Sequence, residues 1–144
     1  MDEEVPRPEG EPPSMLVVVN EEMRRQFAAI GEVVTFDLTF KMIKGESEAG
    51  GRWKLGCFLG TSPTKRMVPL ALVVTLLENT QVYVRILRTF FLAMKGQPAV
   101  LITDEEKAIG AAVKMLQDDG TYRGRHLLDV FHILMNVRKK LNDK

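Results

Sequence analysis

Two aspartates have the setting that chemistry would need. Asp37 lies inside Val33–Phe40, where Val34, Phe36, Leu38 and Phe40 alternate with Val33, Thr35, Asp37 and Thr39. That alternation is the signature of a strand with one apolar face. Asp104 ends Ala99–Thr103, a short apolar run of the kind that forms a buried parallel strand. In α/β sheets, ligands collect outside the carboxyl ends of strands, near a switch in strand order. If these two strands are neighbours, the carboxylates converge. Two anions about 4 Å apart repel by roughly 4 kcal/mol at an effective dielectric near 20. A shared proton or a divalent cation must relieve that repulsion. Oxygen ligands favour Mg²⁺ or Mn²⁺ over zinc, and two such ions can clamp the attacking and leaving oxygens of a phosphodiester. Each residue also has a plainer reading. Asp104, followed by Glu105 and Glu106, occupies the position of a helix N-cap. Asp37 suits the wet face of a half-exposed strand.

The elements that must position these acids follow from periodicity. Met15–Val19 reads as a short strand and Glu21–Ile30 as a helix closed by Gly31. After Val33–Phe40, a Gly-rich turn segment (Lys44–Arg52) leads to strands at Trp53–Leu59 and Pro69–Thr75. Short connections make the three antiparallel. Asn79–Lys95 is an amphipathic helix stopped by Gly96 and Pro98. Glu105–Gln117 is a second, with a stripe of small residues. His126–Phe131 reads as a further strand passing into a helix that runs to about Leu141.

Composition narrows the field. With 144 residues, the chain accommodates one domain and no more. No run approaches the roughly 20 apolar residues of a membrane span, and the Met-Asp-Glu-Glu start carries no secretory signal. Cys57, the lone cysteine, excludes an internal disulfide and fits a reducing compartment. An intracellular protein is expected, nuclear if the source is eukaryotic, and not secreted. Residues 1–14 hold five acids, one base and four of the seven prolines, the composition of a disordered tail. Residues 15–144 then carry a net charge of +5. That modest surplus is compatible with nucleic acid. Arg123, Arg125, Arg138, Lys139 and Lys140 are the candidate DNA contacts. A basic last turn also answers the helix dipole without any ligand.

Several strings, in order, resemble the catalytic domain of Mutator-like element (MULE) DNA transposases. Thr35-Phe36-Asp37-Leu38-Thr39-Phe40 resembles the family's Asp-x-Thr-Phe/Tyr segment. Gly56–Leu59 and Val68–Val73 resemble its paired strands, and Glu78-Asn79-Thr80 through Tyr83 its "Glu-Thr … Tyr" helix. Ala99–Ala108 (AVLITDEEKA) is similar to the strand that ends in its second aspartate. Asp129-Val130-Phe131-His132, with Asn136, looks like its Cys/Asp-x-x-His…Asn element. The resemblance runs from about residue 15 to residue 141.

It implies an RNase H-like fold: a mixed five-stranded sheet, three strands antiparallel and two parallel, with helices on the faces. It also implies DNA cleavage and strand transfer at transposon ends by a metal-dependent Asp-Asp-Glu triad, with a homo-oligomer possible. Asp37 and Asp104 match the first two acids and would hold Mg²⁺ or Mn²⁺. His132 matches the family's supporting histidine, although read alone it is an ordinary packed or surface residue. The family's third acid belongs to a later helix, and only Asp143 is acidic after Asp129. The expectation is therefore a C-terminally truncated catalytic core over residues 15–144, inactive or weak alone, with Asp129 as a candidate local third ligand. Two alternatives stay open: a repurposed, non-catalytic regulator or interaction module, and a small nuclease of the same fold.

Overall fold

A computed structural model describes residues 15–46 and 52–143; for 39–46, 52, 131–133 and 136 the backbone alone is described. The expected tail over 1–14 lies outside these residues. Ten elements follow one another: β1 (Met15–Val18), α1 (Glu21–Ile30), β2 (Val33–Glu46), β3 (Arg52–Thr61), β4 (Met67–Thr75), α2 (Thr80–Met94), β5 (Val100–Thr103), α3 (Lys107–Asp118), β6 (Arg125–Leu128) and α4 (Val130–Asn142).

The strands form one sheet in the order β1-β4-β3-β2-β5-β6. β3 is antiparallel to both β2 and β4, while β5 joins β2, and β6 joins β5, in parallel. Three antiparallel strands continued by two parallel ones make the RNase H-like arrangement. The expected count of five was one short: Met15–Val18 pairs antiparallel with β4 and adds a sixth strand at the edge. The expected turn over Lys44–Arg52 is shorter at both ends, because β2 runs to Glu46 and β3 starts at Arg52, two partners across the ladder. β6 is also shorter than expected. It ends at Leu128, where the chain turns directly into α4.

The alternation read in β2 translates into burial. Val34, Phe36 and Leu38 face the core with Phe58 of β3 and Leu70 and Val73 of β4. Phe58 stacks flat on Phe90 of α2 at 3.9 Å and lies 4.6 Å from Phe36. Helices α1 and α2 are capped by asparagine: the Asn20 and Asn79 side chains accept from the amides of Met23 and Val82. Pro69, which has no N–H to give the ladder, sits at the register shift between Phe58 and Leu59.

Helices α1, α2 and α3 pack together over this core face. The sheet is flanked by helices as expected, these three lying on one face. Among the described residues the opposite face carries no helix, and Leu16, Val18, Val33, Leu72 and Leu127 on it are exposed. α4 projects with Val130, Leu134, Val137 and Leu141 at about half exposed or more.

Candidate functional site

Strand register brings the acids together. β2 and β5 pair Val33 with Val100, Val34 with Leu101 and Thr35 with Ile102. Continued two residues further, the same register sets Asp37 opposite Asp104. β5 and β6 pair Thr103 with Leu128, and the Asp129 amide donates to the Thr103 carbonyl at 2.6 Å, extending the ladder by one residue. Asp129 thus follows as the neighbour of Asp104. By this register Asp37, inside β2, and Asp104 and Asp129, just past the ends of β5 and β6, follow one another across three parallel strands about 4.8 Å apart. Alternation puts the row on the bare face. Leu38, Leu101 and Thr103 are buried under the helices, whereas Asp37 and Asp104 are partly exposed.

Local contacts hold the row in place. The Asp104 carboxylate accepts from the Glu106 amide at 3.1 Å, an Asx turn that leads the chain into α3. Glu106, not Asp104, occupies the N-cap of α3 and makes no side-chain cap bond. Cys57 is the cross-strand partner of Asp37. Burial, and then the Asp37 charge, push its thiol above the usual range.

A second acidic group adjoins Asp104. The buried Tyr83 hydroxyl donates to Glu106 at 2.9 Å, and Glu78 pairs with Lys54. Burial raises the Glu106 carboxyl most; the Tyr83 hydrogen bond opposes this, and the charges of Glu78 and Asp104 add to the rise. Burial and the Glu106 contact drive the Tyr83 hydroxyl far upward. Glu78 Oε1 is buried without a hydrogen-bond partner. Sequence reading passed over Lys54 and Glu106; their only signals are a lysine at the end of a strand and an acid two residues beyond Asp104.

The other expected site residues fall elsewhere. His132 lies in the first turn of α4, and its side chain is outside the described residues. Arg125 opens β6 opposite Val100, four residues and about 13 Å of strand from the acid row. Arg123 precedes it, exposed, its amide bonded to Gln97 at 2.6 Å. These two arginines are at the amino end of the strand, away from the carboxylates. Arg138, Lys139 and Lys140 are exposed on α4.

No family model matches this chain. No curated protein matches it either. Among solved structures it is similar to a chain of the simian T-cell lymphotropic virus intasome in complex with PP2A regulatory subunit B56 gamma. That match has 14% identity and a TM-score of 0.48, over 68% of this chain and 31% of the other. It is also similar to the HTLV-2 integrase catalytic core domain in complex with magnesium. The dimeric form gives 15% identity, TM-score 0.43 and 78% and 70% coverage. The trimeric form gives 16%, 0.44, 78% and 72%. This chain spans less than a third of the intasome chain. Likenesses so distant add nothing to the strand order, which by itself makes the sheet RNase H-like.

The donor set suits a hard cation. Mg²⁺ needs only one or two protein carboxylates and keeps several waters, so Asp37 and Asp104 are the residues that would hold it. Among the described residues no three His, Cys, Asp or Glu side chains form a ready metal cage. Asp129 is adjacent by register, without a closed cage.

His126 locks β6 to β5 from the core side, its Nε2 2.7 Å from Thr103 Oγ1. Burial depresses its pKa below the ordinary 6.5. The folded chain therefore binds fewer protons here than the unfolded chain, so this group's stabilisation is present above pH 6.5 and lost as pH falls through the depressed value. Urea midpoints at pH 7.5 and pH 5 should show a smaller loss on acidification in His126→Gln than in the parent. An equal loss in both would rule His126 out as the sensor. The comparison is needed because Glu106, with its raised pKa, loses stability in the opposite direction, as pH rises above 4.5.

Proposed function

We propose that this chain is a catalytic-core segment of a Mutator-like DNA transposase, which cuts and joins DNA strands with divalent metal. The reading rests above all on the strand register that sets Asp37 of β2, and Asp104 and Asp129 just past the ends of β5 and β6, side by side across adjacent parallel strands. The motif order from Thr35 to Asn136 supports the family. Asp37 and Asp104 would hold Mg²⁺ or Mn²⁺, with Asp129 as the nearest further carboxylate. When bound, the metal would supply Lewis-acid stabilisation of charge on a phosphodiester. The chain's own part is to fix both carboxylates on rigid strands and to aim Asp104 through its bond to the Glu106 amide. DNA (transposon ends) is the proposed substrate and partner, with the exposed Arg138, Lys139 and Lys140 as backbone contacts. The site is an intracellular one, nuclear in a eukaryote.

Slow nicking of supercoiled plasmid in Mn²⁺ is the expected activity of the chain alone, abolished by chelation. If the wild type nicks no faster than Asp37→Asn, the proposal fails. The bare apolar face and the exposed α4 favour a second reading, a non-catalytic interaction module descended from such an enzyme. It predicts that Asp37→Asn with Asp104→Asn leaves the cellular role intact.

A further inference from the structure

The link from β5 to α3 is three residues long, Asp104–Glu106, and belongs to neither element. Asp104 is held in it twice. Its carbonyl accepts from the Thr103 hydroxyl at 3.0 Å, and its Oδ1 accepts from the Glu106 amide at 3.1 Å. The direction of the carboxylate therefore depends on where Glu106 stands. Glu106 occupies the N-cap of α3, where a polar side chain ordinarily turns back to accept from the first amides of its own helix. It makes no such bond. Its carboxylate reaches instead across 23 residues of sequence to the Tyr83 hydroxyl, 2.9 Å away. Tyr83 is fully buried on α2, and its ring meets Phe36 edge-on at 6.3 Å. Phe36 is the residue before Asp37 in β2. One side chain thus touches the neighbour of the first aspartate and the residue that holds the second.

We propose that Tyr83 is a positioning residue for the acid pair: its hydroxyl aims Asp104 through Glu106, while its ring, packed on Phe36, ties that aim to Asp37. The inference rests on the reading that the two aspartates hold a divalent metal. A buried tyrosine hydroxyl needs a partner, and any backbone carbonyl would satisfy it. Here the partner is a carboxylate, which makes the stronger, charge-assisted bond. That bond fixes Glu106, and with it the amide that holds Asp104 Oδ1. Oδ2 is then the oxygen left for a cation. Mg²⁺ tolerates little error in the placing of its ligands. Loss of a hydrogen bond that orients a ligating group typically weakens metal binding about 10–100-fold. Tyr83 touches no metal and no substrate in this scheme. It acts only through what it holds.

Calorimetric titration of the full chain with Mn²⁺, together with amide hydrogen exchange, tests the assignment. Tyr83→Phe should weaken Mn²⁺ binding about tenfold. It should also speed exchange of the Glu106 amide, while the Asp129 amide, bonded to the Thr103 carbonyl, exchanges as before. Glu106→Ala should weaken Mn²⁺ as much, and it carries the test if Tyr83→Phe fails to fold. Tyr83→Phe combined with Glu106→Ala should be no weaker than either alone, because both remove the same bond. Glu106→Gln keeps an oxygen for the Tyr83 hydroxyl and should retain most of the affinity. A Tyr83→Phe chain that binds Mn²⁺ as tightly as the wild type overturns the proposal. So do additive losses in the double variant, or a Glu106→Gln chain as weak as Glu106→Ala, since charge would then be what matters. A wild type that binds no Mn²⁺ removes the metal reading and this proposal with it, whereas equal binding by wild type and Tyr83→Phe removes the proposal alone.

Discussion

Phe58→Ala should cost the fold about 3–5 kcal/mol, the range for emptying an aromatic site in a packed core. Phe58 is fully buried on β3 and stacks at 2° from parallel on Phe90 of α2. It also touches Phe36 of β2, while Phe27 of α1 meets Phe90 edge-on at 5.7 Å. One ring therefore joins the central strands to the helical layer, and its neighbours are themselves large and fixed, so the cavity cannot collapse cheaply. Domains of this size hold roughly 5–15 kcal/mol in all, so the variant should be close to unfolding at room temperature. A lower urea midpoint with an unchanged m-value is the expected reading. Phe58→Leu, which keeps most of the volume, should lose much less. A loss below about 1 kcal/mol for the alanine variant would mean that the aromatic stack is not the centre of the core.

Manganese should protect the wild type against heat and do nothing for Asp37→Asn with Asp104→Asn. An ion that binds only the folded chain stabilises it by about 2.7 kcal/mol at a hundred times its dissociation constant, which raises the Tm of a small domain by several degrees. Asparagine is the right replacement. It removes the charge but keeps an oxygen to accept from the Glu106 amide, so the turn into α3 persists. Without metal the two proteins should melt at similar temperatures, and calorimetry should detect Mn²⁺ binding by the wild type alone. Equal protection of both would put the metal elsewhere. No protection of either would remove the metal centre and the proposed chemistry with it. Asp129→Asn tests the third member of the row, and a partial loss of Mn²⁺ affinity is the expected result.

Much of this was open to reading in the chain because it depends on local rules. The alternation of Val34, Phe36 and Leu38 decides which face of β2 is buried, since successive side chains of a strand point to opposite sides. Asn79 and the stripe from Tyr83 to Met94 announce α2 for the same reason of period. The position of Asp104 at the end of an apolar run shows that a carboxylate stands at a strand terminus. Partnership between distant segments is a different matter. Nothing in Met15–Val18 says that it pairs with β4, because an edge strand is chosen by what is left unpaired after the others fold. Arg123 and Arg125 look close to the acids along the chain, yet strand direction carries them to the far end of β6.

The sequence by itself determined the elements, the buried face of the central strand and the two aspartates worth attention, because period and turn chemistry act over a few residues. Only the tertiary structure decided that strand register sets Asp37, Asp104 and Asp129 side by side and that Tyr83 reaches Glu106. Those facts belong to strand order and register, which are set when segments far apart in the chain compete for the same neighbours.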